Sequence, residues 1–160
     1  MWVHPNKKGN ILIIDRTKKF DIEKFFGKGW SIWWEDERSR KITTIDDSKI
    51  DIRNADDSYT LAEWWDIVHS VGGIAPLDAK VFEVFWDDLD SIPKALKQKK
   101  IKDELNAFFF PGTIICSPKK ELFMLYIFCL GEVWTWSFSL IDIRIDKKLD
   151  SVSWFLHCKM

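Results

Sequence analysis

"LFMLYIFCLGEVWTWSFSL", residues 122–140, decides the fold class. Nine apolar residues run from Leu122 to Leu130 and stop at Gly131-Glu132. That is about half of the roughly 20 residues a helix needs to cross a bilayer. Beyond the turn, Trp134, Trp136 and Phe138 alternate with Thr135, Ser137 and Ser139, the period of a strand. Two β-rich runs separated by "GE" read as a hairpin. Working outward, "TIICS" (113–117) precedes the hairpin across "PKK", and "SVSWFLHC" (151–158) follows across "DKKLD". Such short connections imply an antiparallel meander over the C-terminal third. In "IDIRID" (141–146), Ile141, Ile143 and Ile145 share one face while Asp142, Arg144 and Asp146 share the other, so one face packs and the other meets water. These strands are expected at the sheet centre, with Trp134 and Trp136 facing a helix.

Toward the N-terminus, "NILIIDR" (10–16) reads as a buried strand, and Phe20 to Gly29 as a short helix or turn stopped by glycine. "SIWWEDE" and "RKITTIDD", separated by Arg38-Ser39, read as a hairpin of strands 30–36 and 40–46, and "KIDIR" as a short extended piece in a polar loop. "YTLAEWWDIVHSVGG" is the clearest helix: Thr60 and Glu63 match a capping box, and Gly72-Gly73 ends it. Residues 80–89, "KVFEVFWDDL", favour a strand by their β-branched and aromatic content, with a helix as the alternative. Residues 92–109 read as a lysine-rich helix on the stripe Ile92, Leu96, Ile101, Leu105 and Phe108, ended by Pro111-Gly112. The expected architecture is α+β in a single domain, 1–160: an antiparallel sheet with two main helices on one face.

The start, "MWVHPNKKGN", lacks the apolar stretch of a signal peptide. Cys116, Cys129 and Cys158 are odd in number and sit inside apolar runs, so they read as buried, reduced thiols of a cytoplasmic protein. His4, His69 and His157 show neither helical i, i+4 pairing nor proximity to paired cysteines, so no metal site is expected; His69 reads as a helix C-terminal or surface residue. A Cys–His nucleophile would need an accessible thiolate, and the paired carboxylates of "FWDDLD" read as caps or turns. There is no dinucleotide fingerprint, P-loop or nucleophile elbow. No cofactor is expected, and the chain is read as a non-enzyme.

The charge is unevenly distributed. Residues 31–91 carry six Lys/Arg against fifteen Asp/Glu, a net −9 within a chain of net −1. An acidic region steers a basic partner into encounter, and aromatic side chains beside it supply anchors. If 30–36 is a regular strand, Trp34 shares a face with Ile32 and Trp30 toward the core, and Trp33 stands on the other face with Ser31 and Glu35. The expected partner surface is therefore Trp33 with Glu35, Asp36, Glu37, Asp46, Asp47, Asp51, Asp56, Asp57, Asp87, Asp88 and Asp90.

In size, composition and charge layout, the whole chain resembles the bacterial immunity proteins that neutralise toxin domains, and its Lys, Ile, Asp and Phe content suits an AT-rich bacterial or phage gene. The resemblance implies an inhibitor that covers the active site of a basic toxin, in some cases a nuclease, with acids standing in for phosphate. A nucleic-acid-binding module is the alternative, using the lysine-rich helix 92–109 to follow phosphates and the row Trp134, Trp136 and Phe138 to stack bases. An enzyme of unrecognised type is the third.

Overall fold

Gly131 adopts a positive φ of 62°, which glycine accepts readily and a tight hairpin loop requires. It joins β8 (Leu122–Leu130) to β9 (Val133–Leu140), with Leu130 opposite Val133. The structure, a computed structural model, describes residues 7–8, 11–54, 60–101, 104–142 and 152–160. His4 and, from the expected alternating strand, Ile143, Arg144, Ile145 and Asp146 lie outside the described residues.

β7 (Asn106–Cys116) pairs antiparallel with β8, so three of the four strands expected in the meander, β7, β8 and β9, form it. Its other edge is shared. Residues 106–109 pair in parallel with β10 (Val152–Lys159), and residues 113–116 pair antiparallel with β3 (Ser31–Glu35). The last strand is thus inserted beside β7 rather than added after β9. Beyond it, β5 (Ile50–Asn54) and β6 (Ile74–Pro76) pair antiparallel with β10. A separate three-stranded sheet contains β1 (Lys7–Lys8), β2 (Ile11–Ile13) and β4 (Thr44–Asp46). The expected hairpin of 30–36 with 40–46 does not form: β3 and β4 belong to different sheets. Asp36 explains the break, because its side chain accepts from the Arg38 backbone N–H (2.8 Å) and caps the one-turn α2 (Glu37–Arg40).

Residues 79–87 form a helix, not the favoured strand. Asp78 caps α4 (Ala79–Asp87) by accepting from Val81 N, and Val81, Phe82, Val84 and Phe85 are buried. A helix enclosed on this much of its surface can take β-branched and aromatic residues, because packing outweighs propensity. The lysine-rich helix is also shorter than 92–109: α5 spans Lys94–Lys99, and β7 already begins at Asn106. The Asn106 amide closes the intervening turn, accepting from Ile101 N and donating to the carbonyls of Ile101 and Glu104. All eleven residues of β7 are buried, and a fully buried strand shows no alternation to separate it from an apolar helical stripe.

The fold is α+β, and the sheet packs on both faces. Phe108, Phe110, Ile115, Leu125 and Leu156 join Phe82 and Phe85 of α4 in one core cluster. Phe109, Ile114, Met124, Tyr126 and Phe155 join Leu61, the first residue of α3 (Leu61–His69), in the other. The helices therefore divide between the two faces rather than sharing one. α3 begins as its capping box requires, with Thr60 Oγ1 accepting from Glu63 N (3.1 Å). Trp136 faces helices as expected: its ring lies 5.4 Å from Phe25 and Phe26 of α1 (Ile22–Phe26) and 5.9 Å from Phe82. The Trp134–Trp136–Phe138 row is packed against the core and offers no open stacking platform. Cys116, Cys129 and Cys158 are free and buried. Among the described residues, no helix is long and apolar enough to cross a membrane.

The centre of β7 is irregular. Between the pairs Phe109–Tyr126 and Ile114–Met124, four residues of β7 oppose one of β8. This bulge, Phe110-Pro111-Gly112-Thr113, receives two other segments. Gly112 N donates to the Leu77 carbonyl, Asp36 N donates to the Gly112 carbonyl, and Ala79 N donates to Thr113 Oγ1, each at 2.9 Å. A Cβ on Gly112 would lie 2.5 Å from Ser39 Oγ and 2.9 Å from the Leu77 carbonyl oxygen, so close approach excludes a side chain here. Gly112→Ala is expected to cost about 2–4 kcal/mol in urea unfolding, against about 1 kcal/mol for Gly131→Ala, where only the positive φ opposes the change.

His157 in β10 is 0% exposed. Burial drives its pKa down from 6.5 to about 4, against the pull of Asp51. With the folded pKa below the unfolded one, the unfolded chain takes up the proton first on acidification. The contribution is fully present above pH 6.5 and lost between pH 6.5 and 4. Equilibrium unfolding should lose about 3 kcal/mol across that window from this residue, and His157→Gln should flatten this limb of the pH profile.

Candidate functional site

The register of β3 decides which tryptophan reaches solvent. Ile32 lies opposite Ile115, and Trp34 lies opposite Ile114, so the register shifts at Trp33. Ile115 and Ile114 belong to the two different faces of the sheet. Ile32 and Trp34 therefore also part, and the expectation that Trp34 shares a face with Ile32 and Trp30 is incorrect. A bulge inserts one extra residue and breaks the alternation. Trp30 packs with Phe26, Phe123 and Phe138 on the α4 side. Trp34 packs on the opposite side, 4.9 Å from Trp65 and 5.0 Å from His69.

Trp33, the extra residue, is 59% exposed. With Ala62, Trp65 and Asp66 of α3, Ile114 of β7 and Ile141, it lines a groove of about 180 Å³. The groove is apolar except for Asp66, which is exposed. Glu63 stands one turn earlier on the helix and is exposed, as are Asp142, next to Ile141, and Ile67.

Beneath the groove, a polar cluster fixes α3 to α2. Asp36 is 5% exposed and accepts from Arg38 Nε (3.1 Å) and Nη2 (2.9 Å) as well as from the Arg38 backbone. Arg38 also reaches across to the carbonyls of Val71 and Ile74. Burial pushes the Asp36 carboxyl up, but the Arg38 hydrogen bonds and the Arg38 and His69 charges outweigh it and hold its pKa below 3.8. His69 Nδ1 is 2.7 Å from the Trp65 carbonyl, an acceptor, so this nitrogen carries the hydrogen; Nε2 is 2.9 Å from Asp36 Oδ2. Burial lowers the His69 pKa, opposed by the Trp65 carbonyl and Asp36. The Nδ1–H bond to the Trp65 carbonyl and the ring contacts with Trp34 and Trp65 hold the imidazole beneath the groove instead of at the surface, and Nε2 donates to Asp36 only when the ring is protonated.

Of the residues expected at the partner surface, Trp33 alone lines this groove. Glu35 is held by Arg40 through Nε and Nη2, Asp36 is internal, and Glu37 is exposed in the first turn of α2. Asp46 caps the 3-10 turn Asp47–Lys49 through Ser48 N, and Asp47 accepts from Ala95 N at the start of α5. Asp51 pairs with Arg53, and Asp87 pairs with Lys24. Asp88 accepts from Asp90 N and Ser91 Oγ. Asp47 and Asp90 both line a hollow of about 120 Å³, together with Lys94 and Lys97. Asp56 and Asp57 lie outside the described residues. The sequence reading missed Trp65, Asp66 and Ile141, because only the bulge brings them to Trp33.

No family model, curated protein or solved structure matches the chain.

The cluster makes a direct prediction. Asp36→Ala removes the cap of α2 and leaves Arg38 without its carboxylate, so denaturant unfolding at neutral pH should show a loss of about 2–3 kcal/mol. Because the folded pKa of Asp36 is depressed, that contribution is present above the unfolded value of 3.8 and fades as the pH falls through the folded one. The difference between wild type and variant should therefore shrink in acid.

Proposed function

We propose that the protein is a non-enzymatic inhibitor that binds a basic partner protein through the Trp33 groove, in the manner of the bacterial immunity proteins. The observation that carries this reading is a tryptophan pushed out of its strand, 59% exposed, over an apolar groove with a carboxylate in its wall. A large exposed aromatic beside a concave apolar surface is the anatomy of a binding hot spot. Asp66, Glu63 and Asp142 supply acids near the groove, suited to Lys or Arg around an inserted apolar side chain. The partner surface of this proposal is therefore Trp33, Asp66 and their exposed neighbours. Most of the other acids already serve as caps or ion-pair partners and contribute only through their long-range field. A toxin with a cationic active site, including a nuclease, has the charge this surface complements.

Affinity capture from source cells, with wild type and Trp33→Ala as baits, tests the proposal. Trp33→Ala should leave unfolding stability within about 0.5 kcal/mol and weaken binding of one basic protein by about 2 kcal/mol or more. Purified wild type should suppress that protein's toxic activity at one-to-one stoichiometry. Equal capture by both baits, or a captured protein whose activity is unaffected, would contradict the proposal.

A further inference from the structure

On the opposite side of β3 from Trp34, Ile32 lines a second and larger hollow, of about 550 Å³. Five cationic side chains, Arg16, Lys18, Lys19, Arg40 and Lys80, face it with two carboxylates, Glu35 and Asp78. This excess is not visible in the net charge of −1; it arises because the fold brings the basic N-terminal segment onto the first turn of α4.

The floor is preorganised. Arg16 donates from Nη1 to Asp78 Oδ2 (2.8 Å), from Nε to the Ile42 carbonyl (2.7 Å) and from Nη2 to the Ser39 carbonyl (2.6 Å). Its guanidinium is locked, yet two of its five N–H groups are not used by these bonds. Burial raises the Asp78 pKa, opposed by the adjacent Arg16 charge. At the mouth, Asp15 accepts from the Thr17 backbone N–H and hydroxyl, and this turn presents Lys18 and Lys19 side by side. Both are exposed, and neither makes an ion pair among the described residues. Phe20 anchors the turn in the core, 6.2 Å from Phe82. Lys80, held by Glu83 at 2.6 Å, closes a third side. Ile32, 37% exposed, and Phe20 supply apolar wall.

Arg16, Arg40 and Lys80 are already paired with Asp78, Glu35 and Glu83, so the cations left over are the adjacent Lys18 and Lys19; an anion bound between them relieves their mutual repulsion while also meeting Lys80 and Arg16. The volume lies within the range of small-molecule sites, and a mixed cationic and apolar lining suits a ligand with a phosphate at one end and an organic body at the other. We propose that this cleft binds a phosphorylated small molecule of mononucleotide size, with its phosphate on Lys18, Lys19, Lys80 and the outer edge of Arg16 and its body against Ile32.

Titration calorimetry with AMP and with inorganic pyrophosphate as probes, on wild type, Lys18→Ala/Lys19→Ala and Lys97→Ala, tests this. The double change removes two exposed side chains that make no ion pair, so the fold should be retained, and Lys97 lines a different hollow. The expected result is saturable AMP binding that weakens about tenfold or more in the double variant and is unchanged in Lys97→Ala. The proposal is overturned by absence of saturable AMP binding up to about 10 mM, by pyrophosphate binding without AMP binding, or by equal weakening in Lys97→Ala. A single-stranded oligonucleotide bound on the order of a hundredfold more tightly than AMP would also overturn it, reassigning the cleft to nucleic acid. Trp33→Ala should leave AMP binding unchanged, so failure of this site and failure of the partner-binding reading are separable.

Discussion

The arrangement rests on one close approach, that of Gly112 to the segments around Ser39 and Leu77. A regular strand in the middle of a sheet has its N–H and C=O groups committed to its neighbours. The bulge at Phe110–Thr113 releases them, so Gly112 bonds to Leu77 on one side and to Asp36 on the other. Two chain segments far apart in sequence are thereby tied to the strand that forms the centre of the core. Asp36 and Asp78, the caps of α2 and α4, both sit beside this point. The first holds Arg38 beside His69 beneath the Trp33 groove, and the second holds Arg16 at the floor of the cationic cleft. Both hollows therefore depend on a backbone geometry that only a residue without a side chain allows.

A second irregularity, at Trp33, divides the two hollows. Without it, β3 would send Ile32 and Trp34 to one face and leave Trp33 on the other with Ser31 and Glu35. With it, Trp34 joins Trp65 and His69 on the α3 face, Ile32 turns to the cationic cleft, and Trp33 is displaced toward solvent. The cost of the bulge in ladder hydrogen bonding is small beside the aromatic packing it permits on both sides of the sheet. Acidic residues show a related economy. Asp36, Asp46 and Asp88 each accept a backbone N–H two residues ahead, so much of the negative charge in residues 31–91 organises turns.

What was legible in the sequence follows from how local its cause is. The β8–β9 hairpin and α3 were readable because alternation, a glycine turn and a capping box are set by adjacent residues. α4 and β7 were not, because each is enclosed by protein, and enclosure erases the polar face that gives periodicity its phase. The Trp33 bulge has no composition signal, and its displacement of register inverted the expected placement of Trp34. Trp33 itself was legible as a surface tryptophan, although for a reason the structure replaces: it leaves the core as an inserted residue rather than as the polar face of a regular strand. The capping aspartates carried a readable signal, a carboxylate two residues before a free backbone N–H, that the charge count alone obscured.

The central claim is that Trp33 is the residue expelled from β3 and that Trp34 is packed within. Hydroxyl-radical footprinting of the free protein, read residue by residue by mass spectrometry, tests it most directly. The account predicts fast oxidation of Trp33 and slow oxidation of Trp30, Trp34 and Trp65. Protection of Trp33 together with rapid labelling of Trp34 would contradict it.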